Sequence, residues 1–111
     1  MSCPFCNISS SKIIFETQDL FVIEDKNPVT KGHCLIVSKK HIWKAHELQA
    51  SAWAQMEEIL KRLTTKRKQK IDFEDYNLLN ASWSSAQQSV PHFHIHFAPR
   101  QRNDGLDLWI G

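Results

Sequence analysis

In the stretch "PHFHIHFAPR" (91–100) a histidine falls at every second position: His92, His94 and His96, half of the six in the chain. Side chains of an extended strand alternate between faces, so these three imidazoles share one face, spaced about 7 Å apart. Phe93, Ile95 and Phe97 point to the other face, as a strand lying on an apolar core requires. A polar outer face has no need of one scarce residue type three times over, which leaves two kinds of chemistry. Imidazole is the commonest metal ligand, and histidines two apart on a strand can chelate. A neutral imidazole can also attack phosphorus, splitting a hard displacement into two easier ones. Neighbouring imidazoles and hydroxyls then stabilise charge on the phosphoryl oxygens. The row of histidines alone does not separate the two.

A second candidate lies at the start, where "CPFC" places Cys3 and Cys6 in a C-x-x-C pair. Such a pair is half of a tetrahedral zinc site and needs two further ligands. A redox pair would sit in a thioredoxin-like context, which this chain lacks. Cys34 stands alone in a β-rich run and reads as a small buried apolar residue.

The elements that must position these residues follow from periodicity. "LFVIED" (20–25) and "HCLIVS" (33–38) are β-rich runs separated by "KNPVTKG", with Pro28 and Gly32 as turn signals. Over residues 47–66, Leu48, Ala52, Trp53, Met56, Ile59, Leu60 and Leu63 recur at helical spacing and form one buried stripe. The helix runs into "KRLTTKRKQK" (61–70), whose cations suit a helix C-terminus. "YNLLNAS" (76–82) and "VPHFHIHFAP" (90–99) read as two more strands, and a short element is expected at 13–16. The expected fold is α+β: an antiparallel sheet with one main helix packed on a face.

Length and composition set the frame. A chain of 111 residues, 41% hydrophobic and 23% charged, is expected to form a single domain over 1–111. A net charge of +2 gives no reason to expect nucleic acid or a membrane as partner. No run approaches the roughly 18 apolar residues of a membrane span. "MSCPFCNISSSK" has neither basic leader nor apolar run, so no secretory signal is expected. Three cysteines without regular spacing suit a reducing compartment, and the expected location is cytoplasmic.

Beyond the histidine row, "QSVPHFHIHFAPR" resembles the signature of the histidine triad (HIT) family, three histidines alternating with apolar residues. "DKNPVTKGHCLIVSKKH" (25–41) is similar to the family's first half, with its proline turn, glycine–histidine pair and basic–histidine step. With "CPFC" and "NDGLDLW" (103–109) the resemblance spans essentially the whole chain, and it looks like a small bacterial-type member. It implies that His94 is a nucleophile toward the α-phosphorus of nucleoside phosphoramidates or related nucleotide conjugates. A nucleotidyl-histidine would form, and water would release a nucleoside monophosphate. His96 and His33 are implied to line the same pocket, and Ser89, beside Gln88, to lie near the leaving group. A neutral nucleophile should be quenched by protonation near the ordinary imidazole pKa of about 6.5. Asp25 is implied to accept from the ribose hydroxyls, with Phe21 and Ile23 as candidates against the base, a purine in most of the family.

The resemblance also implies zinc on Cys3, Cys6, His41 and His92, and a two-fold homodimer. Arg100 is expected near phosphate, at the dimer interface, or simply on the surface. One departure stands out: the loop "NASWSSAQQSV" has Trp83 where the family has glycine, and Asn80 falls early for the family's asparagine beside the phosphate. The expected activity is that of a HIT-type hydrolase or nucleotidyl transferase. The alternatives are a dinucleoside-polyphosphate hydrolase and a slow nucleotide-binding regulatory module.

Overall fold

The computed structural model describes residues 3–70, 73, 75–80, 91–102, 104 and 105. Five strands form one antiparallel sheet: β1 (Ile13–Glu16), β2 (Leu20–Glu24), β3 (Cys34–Ser38), β4 (Asp75–Leu79) and β5 (His94–Arg100). Their spatial order is β1-β2-β3-β5-β4. One helix, α1 (Ala50–Lys70), crosses from β3 to β4, and short 3₁₀ turns occupy Pro4–Asn7, Ser10–Lys12 and Ala45–Glu47.

Strand alternation explains the two faces. Leu20 and Val22 of β2, Cys34 and Ile36 of β3, and Ile95 and Phe97 of β5 meet Leu48, Ala52, Met56, Ile59 and Leu63 in the main core. The intervening residues Phe21, Ile23, Leu35 and Val37 turn to the opposite face and form a second cluster with Phe5, Ile8 and Ile13. Burial of each such side chain contributes about 1.5–3 kcal/mol. The sheet is therefore apolar on both faces, unlike an antiparallel sheet with one wetted side.

Three expectations are adjusted. The helix begins at Ala50 rather than about 47 and runs through the basic stretch to Lys70, the C-terminal end expected for it. Glu47 instead accepts from the backbone N–H groups of Trp43 (3.1 Å) and Lys44 (2.8 Å), closing the separate 3₁₀ turn. Trp53, read as part of the buried stripe, is 41% exposed, its ring meeting Phe93 edge-on at 6.1 Å. The last strand starts at His94 rather than 90. The chain just before it is tied to the end of β3 by Ser38 N–H to Phe93 O (3.4 Å) and to the segment after β3 by Phe93 N–H to Ile42 O (2.6 Å). Of the expected run 76–82, residues 81 and 82 lie outside the described residues. Among the described residues, no helix is long and apolar enough to cross a membrane.

Candidate active site

Ladder register puts His94 opposite Val37 and His96 opposite Leu35, on the face away from α1. His94 is 2% exposed. Its Nδ1 lies 2.8 Å from the carbonyl oxygen of His92. A carbonyl accepts only, so Nδ1 carries the proton and Nε2 keeps its lone pair. The backbone thus selects the tautomer whose Nε2 is able to attack an electrophile.

His33 follows the β2–β3 loop, where Gly32 takes a left-handed φ of 87°. The Val29 N–H donates to His33 Nδ1 (3.1 Å), which places the His33 proton on Nε2. That N–H faces His96 Nδ1 at 2.9 Å, leaving His96 with an Nε2–H donor. The Asp25 carboxylate stands 3.4 Å from His33 and 3.7 Å from His96. These contacts have the distances of ion pairs, but burial holds both imidazoles neutral. Desolvation, then the neighbouring His94 and His33, push His96 down to about 4, against the pull of Asp25. Burial likewise lowers His33, opposed by Asp25. The result is a chain of oriented neutral donors that ends beside the nucleophile.

His94, His96 and Asp25 line a cleft of about 550 Å³, whereas His33, expected in the same pocket, is buried and meets it only through its contacts with His96 and Asp25. One wall is Ile23, Asp25 and Leu35, with His94 and His96 at the base. The other comes from the N-terminal arm, including Phe5 and Ile8. The Phe5 ring stands edge-on to His94, centroids 5.1 Å apart. Phe21, expected at the base pocket beside Ile23, is buried in the cluster with Ile23, Leu35 and Val37 and does not line the cleft. Asn80 donates from Nδ2 to the backbone oxygen of His94 (2.9 Å), so its described contact is with the nucleophile's strand. Arg100 is occupied by Asp104 (2.7 and 2.8 Å) and Asn77 (2.7 Å). Ser89, Gln88 and Trp83 lie outside the described residues. Sequence reasoning missed Phe5 and Ile8 as cleft walls and the Val29 N–H as the orienter of His33. The first pair carried a signal, as apolar residues within and just after the C-x-x-C.

Beside the cleft, Cys3, Cys6, His41 and His92 form a four-donor group. His92 Nδ1 lies 3.4 Å from Cys3 Sγ, 3.6 Å from Cys6 Sγ and 3.1 Å from His41 Nδ1, with Cys6 Sγ to His41 Nδ1 also 3.1 Å. Zinc bond lengths of about 2.0 Å to nitrogen and about 2.3 Å to sulfur imply tetrahedron edges of about 3.3 Å (N to N) and about 3.6 Å (N to S). The observed spacing is that of a closed Cys₂His₂ site. His92 is already oriented for ligation: Nε2–H faces the Ser38 carbonyl at 2.7 Å, which frees Nδ1. His41 is not, because the Trp43 indole N–H donates to its Nε2 (2.9 Å). That indole N–H must give up Nε2 before Nδ1 can bind a metal, and the Trp43 side chain is 37% exposed.

Asp25, His33 and His96 are also close enough to hold a metal ion. Here the opposing donor is the Val29 backbone, which has no such freedom, so His33 Nε2 retains its proton. The first cluster suits a metal; the second suits hydrogen-bond donation.

A buried imidazole whose Nδ1–H is held by a backbone carbonyl and whose Nε2 keeps its lone pair, flanked by neutral donors in a cleft, is an arrangement able to act as a nucleophile. The HIT-domain family model matches residues 8–103, and the chain belongs to the HIT family. It is 33% identical to an uncharacterized HIT-like protein of Methanocaldococcus jannaschii, over 98% of this chain and 87% of that protein. It is 34% identical to the adenosine 5'-monophosphoramidase hnt1 of Schizosaccharomyces pombe, over 100% of this chain and 83% of that protein. Among solved structures, a zinc-bound histidine triad protein from Mycobacterium smegmatis superposes with a TM-score of 0.82. Its identity is 27%, covering 99% of this chain and 83% of that one.

Proposed function

We propose that the protein is a nucleotide hydrolase that cleaves nucleoside phosphoramidates or related nucleotide conjugates at the α-phosphate. The observation that carries this reading is the 2.8 Å contact of His94 Nδ1 with the His92 carbonyl. It leaves Nε2 as a lone-pair nucleophile in a cleft of nucleotide size. Nε2 attacks phosphorus, and the leaving amine departs with the P–N electron pair and takes up a proton. Ser89 is the candidate donor. His96 Nε2–H donates to a phosphoryl oxygen, and its neutrality suits a hydrogen-bond role rather than proton transfer. Water then attacks the nucleotidyl-histidine, its released proton returning to the group that protonated the amine, which frees a nucleoside monophosphate and restores His94. Asp25 accepts from the ribose hydroxyls, Ile23 and Phe5 flank the base, and a purine is the expected base. The similarity to a named adenosine 5'-monophosphoramidase over the whole chain supports this reading.

The same proposal assigns a structural zinc to Cys3, Cys6, His41 and His92. The donor spacing and the zinc-bound relative support it. A bound zinc supplies a covalent tie between the arm and the start of β5. None of the three cysteines is in a disulfide, in keeping with a reducing, cytoplasmic setting. The exposed Tyr76 and Leu78 on edge strand β4 are the candidate cover for a two-fold dimer, with the chain acting as one HIT domain.

Monophosphate release from an adenosine phosphoramidate and from a dinucleoside polyphosphate, with wild type and His94→Ala, tests the activity. Turnover lost in the variant with nucleotide binding kept supports the nucleophile; equal rates remove it. Faster cleavage of the polyphosphate would shift the assignment to a dinucleoside-polyphosphate hydrolase.

A further inference from the structure

The four-donor cluster and the nucleotide cleft are joined by one short piece of chain. Cys3 and Cys6 point to His41 and His92, while Phe5 between them stands edge-on to both His92 (5.8 Å) and His94 (5.1 Å). Pro4, Phe5, Asn7, Ile8 and Ser9 then line the cleft. The metal candidate and the substrate wall are alternate residues of the same turn.

What fastens this arm decides how the two sites influence each other. The arm is built from 3₁₀ turns of four and three residues, Pro4–Asn7 and Ser10–Lys12. Such turns do not persist on their own. Their bonds, such as Cys6 N–H to Cys3 O (3.1 Å) and Lys12 N–H to Ser9 O (2.9 Å), are local and do not tether the arm to the sheet. Pro4, Cys6, Asn7 and Ser9 are exposed. The apolar anchors are Phe5 and Ile8, both only partly buried, against the Phe21, Ile23, Leu35 and Val37 cluster. The cysteines add the arm's contacts to His41 and His92.

We propose that occupancy of the Cys3/Cys6/His41/His92 cluster sets the affinity of the cleft for nucleotide, with Phe5 as the residue that couples them. This inference rests on the nucleotide reading of the cleft. With the cluster filled, the arm is pinned and the wall is formed before nucleotide arrives. With it empty, nucleotide binding must also order the arm, and that ordering weakens it. Coupling between two bound species is reciprocal, so nucleotide also strengthens metal retention by the same factor.

The test measures AMP binding by calorimetry to the zinc-loaded full chain, to the same protein stripped by a chelator, and to the Cys3→Ser/Cys6→Ser protein. Folding is checked by circular dichroism. AMP should bind about tenfold more weakly to the stripped and substituted proteins. Zinc should restore the stripped protein but not the substituted one. In the loaded protein, saturating AMP should slow zinc loss to a chromogenic chelator, and Phe5→Ala should abolish that protection. An AMP affinity unchanged to within about twofold, with metal content shown to differ, overturns the coupling. Should stripping unfold the chain, the zinc-loss measurement on loaded protein decides, and no protection by AMP overturns it. No AMP binding by the loaded protein would instead overturn the nucleotide reading, and this inference with it.

Discussion

The ring of His92 faces Cys3 and Cys6, while its backbone carbonyl, 2.8 Å from His94 Nδ1, selects the His94 tautomer with a lone pair on Nε2. One residue serves a candidate metal cluster with its side chain and orients His94 with its main chain, without itself lining the cleft. This division predicts that substitutions of the His92 ring act through the position of β5, not through lost chemistry.

The protonation of His96 is the clearest pH signature. Burial and neighbouring imidazoles bring it down to about 4 from an ordinary value near 6.5. Between those values the unfolded chain binds more protons than the folded one. Stability therefore rises with pH through the window and is lost as pH falls from about 6.5 toward 4, by on the order of 2–3 kcal/mol. Proton NMR of the His96 ring should show it neutral down to about pH 4, and a midpoint near 6.5 would contradict the burial argument.

Asp25→Asn removes the carboxylate that faces both His33 and His96. Loss of a charged acceptor should weaken ribonucleotide binding about tenfold, the value of a hydrogen bond to a charged group. Discrimination against the 2'-deoxynucleotide should fall with it, which KM values for the two substrates would show. Because the carboxylate opposes the effect of burial, both imidazoles should also titrate lower in this variant. An unaltered ribose preference would contradict the assignment.

Trp43→Phe should tighten metal binding. The indole N–H competes for His41 Nε2, the nitrogen that must carry a proton when Nδ1 ligates. Removing one hydrogen bond worth about 1 kcal/mol should raise zinc affinity about fivefold. Competition against a chromogenic chelator measures it, and weaker retention in the variant would contradict the tautomer argument.

The fold and the site differed in how far the sequence disclosed them. The alternation of His94 and His96 with Phe93, Ile95 and Phe97 made the two faces of β5 legible, since a period of two admits one arrangement on a half-buried sheet. The stripe of Met56, Ile59 and Leu63 made the helix legible for the same kind of reason. Trp53 misled because a large aromatic at helical spacing reads as core, whereas its position leaves much of the ring in solvent. The start of α1 was hidden by Glu47, whose side chain closes a separate turn. The orientation of His33 was beyond reach, because its partner is a backbone N–H placed by the loop's shape and not by the Val29 side chain. The joining of cleft to Cys–His cluster through Phe5 appears only when both ends of the arm have coordinates.

The central claim is covalent, and mass spectrometry reads it directly. Rapid quenching of the protein during turnover of an adenosine phosphoramidate should trap one adenylyl group per chain, mapped by fragmentation to His94. The adduct should be absent in His94→Ala. An adduct on another residue, or turnover that persists in the variant without any adduct, would contradict the account.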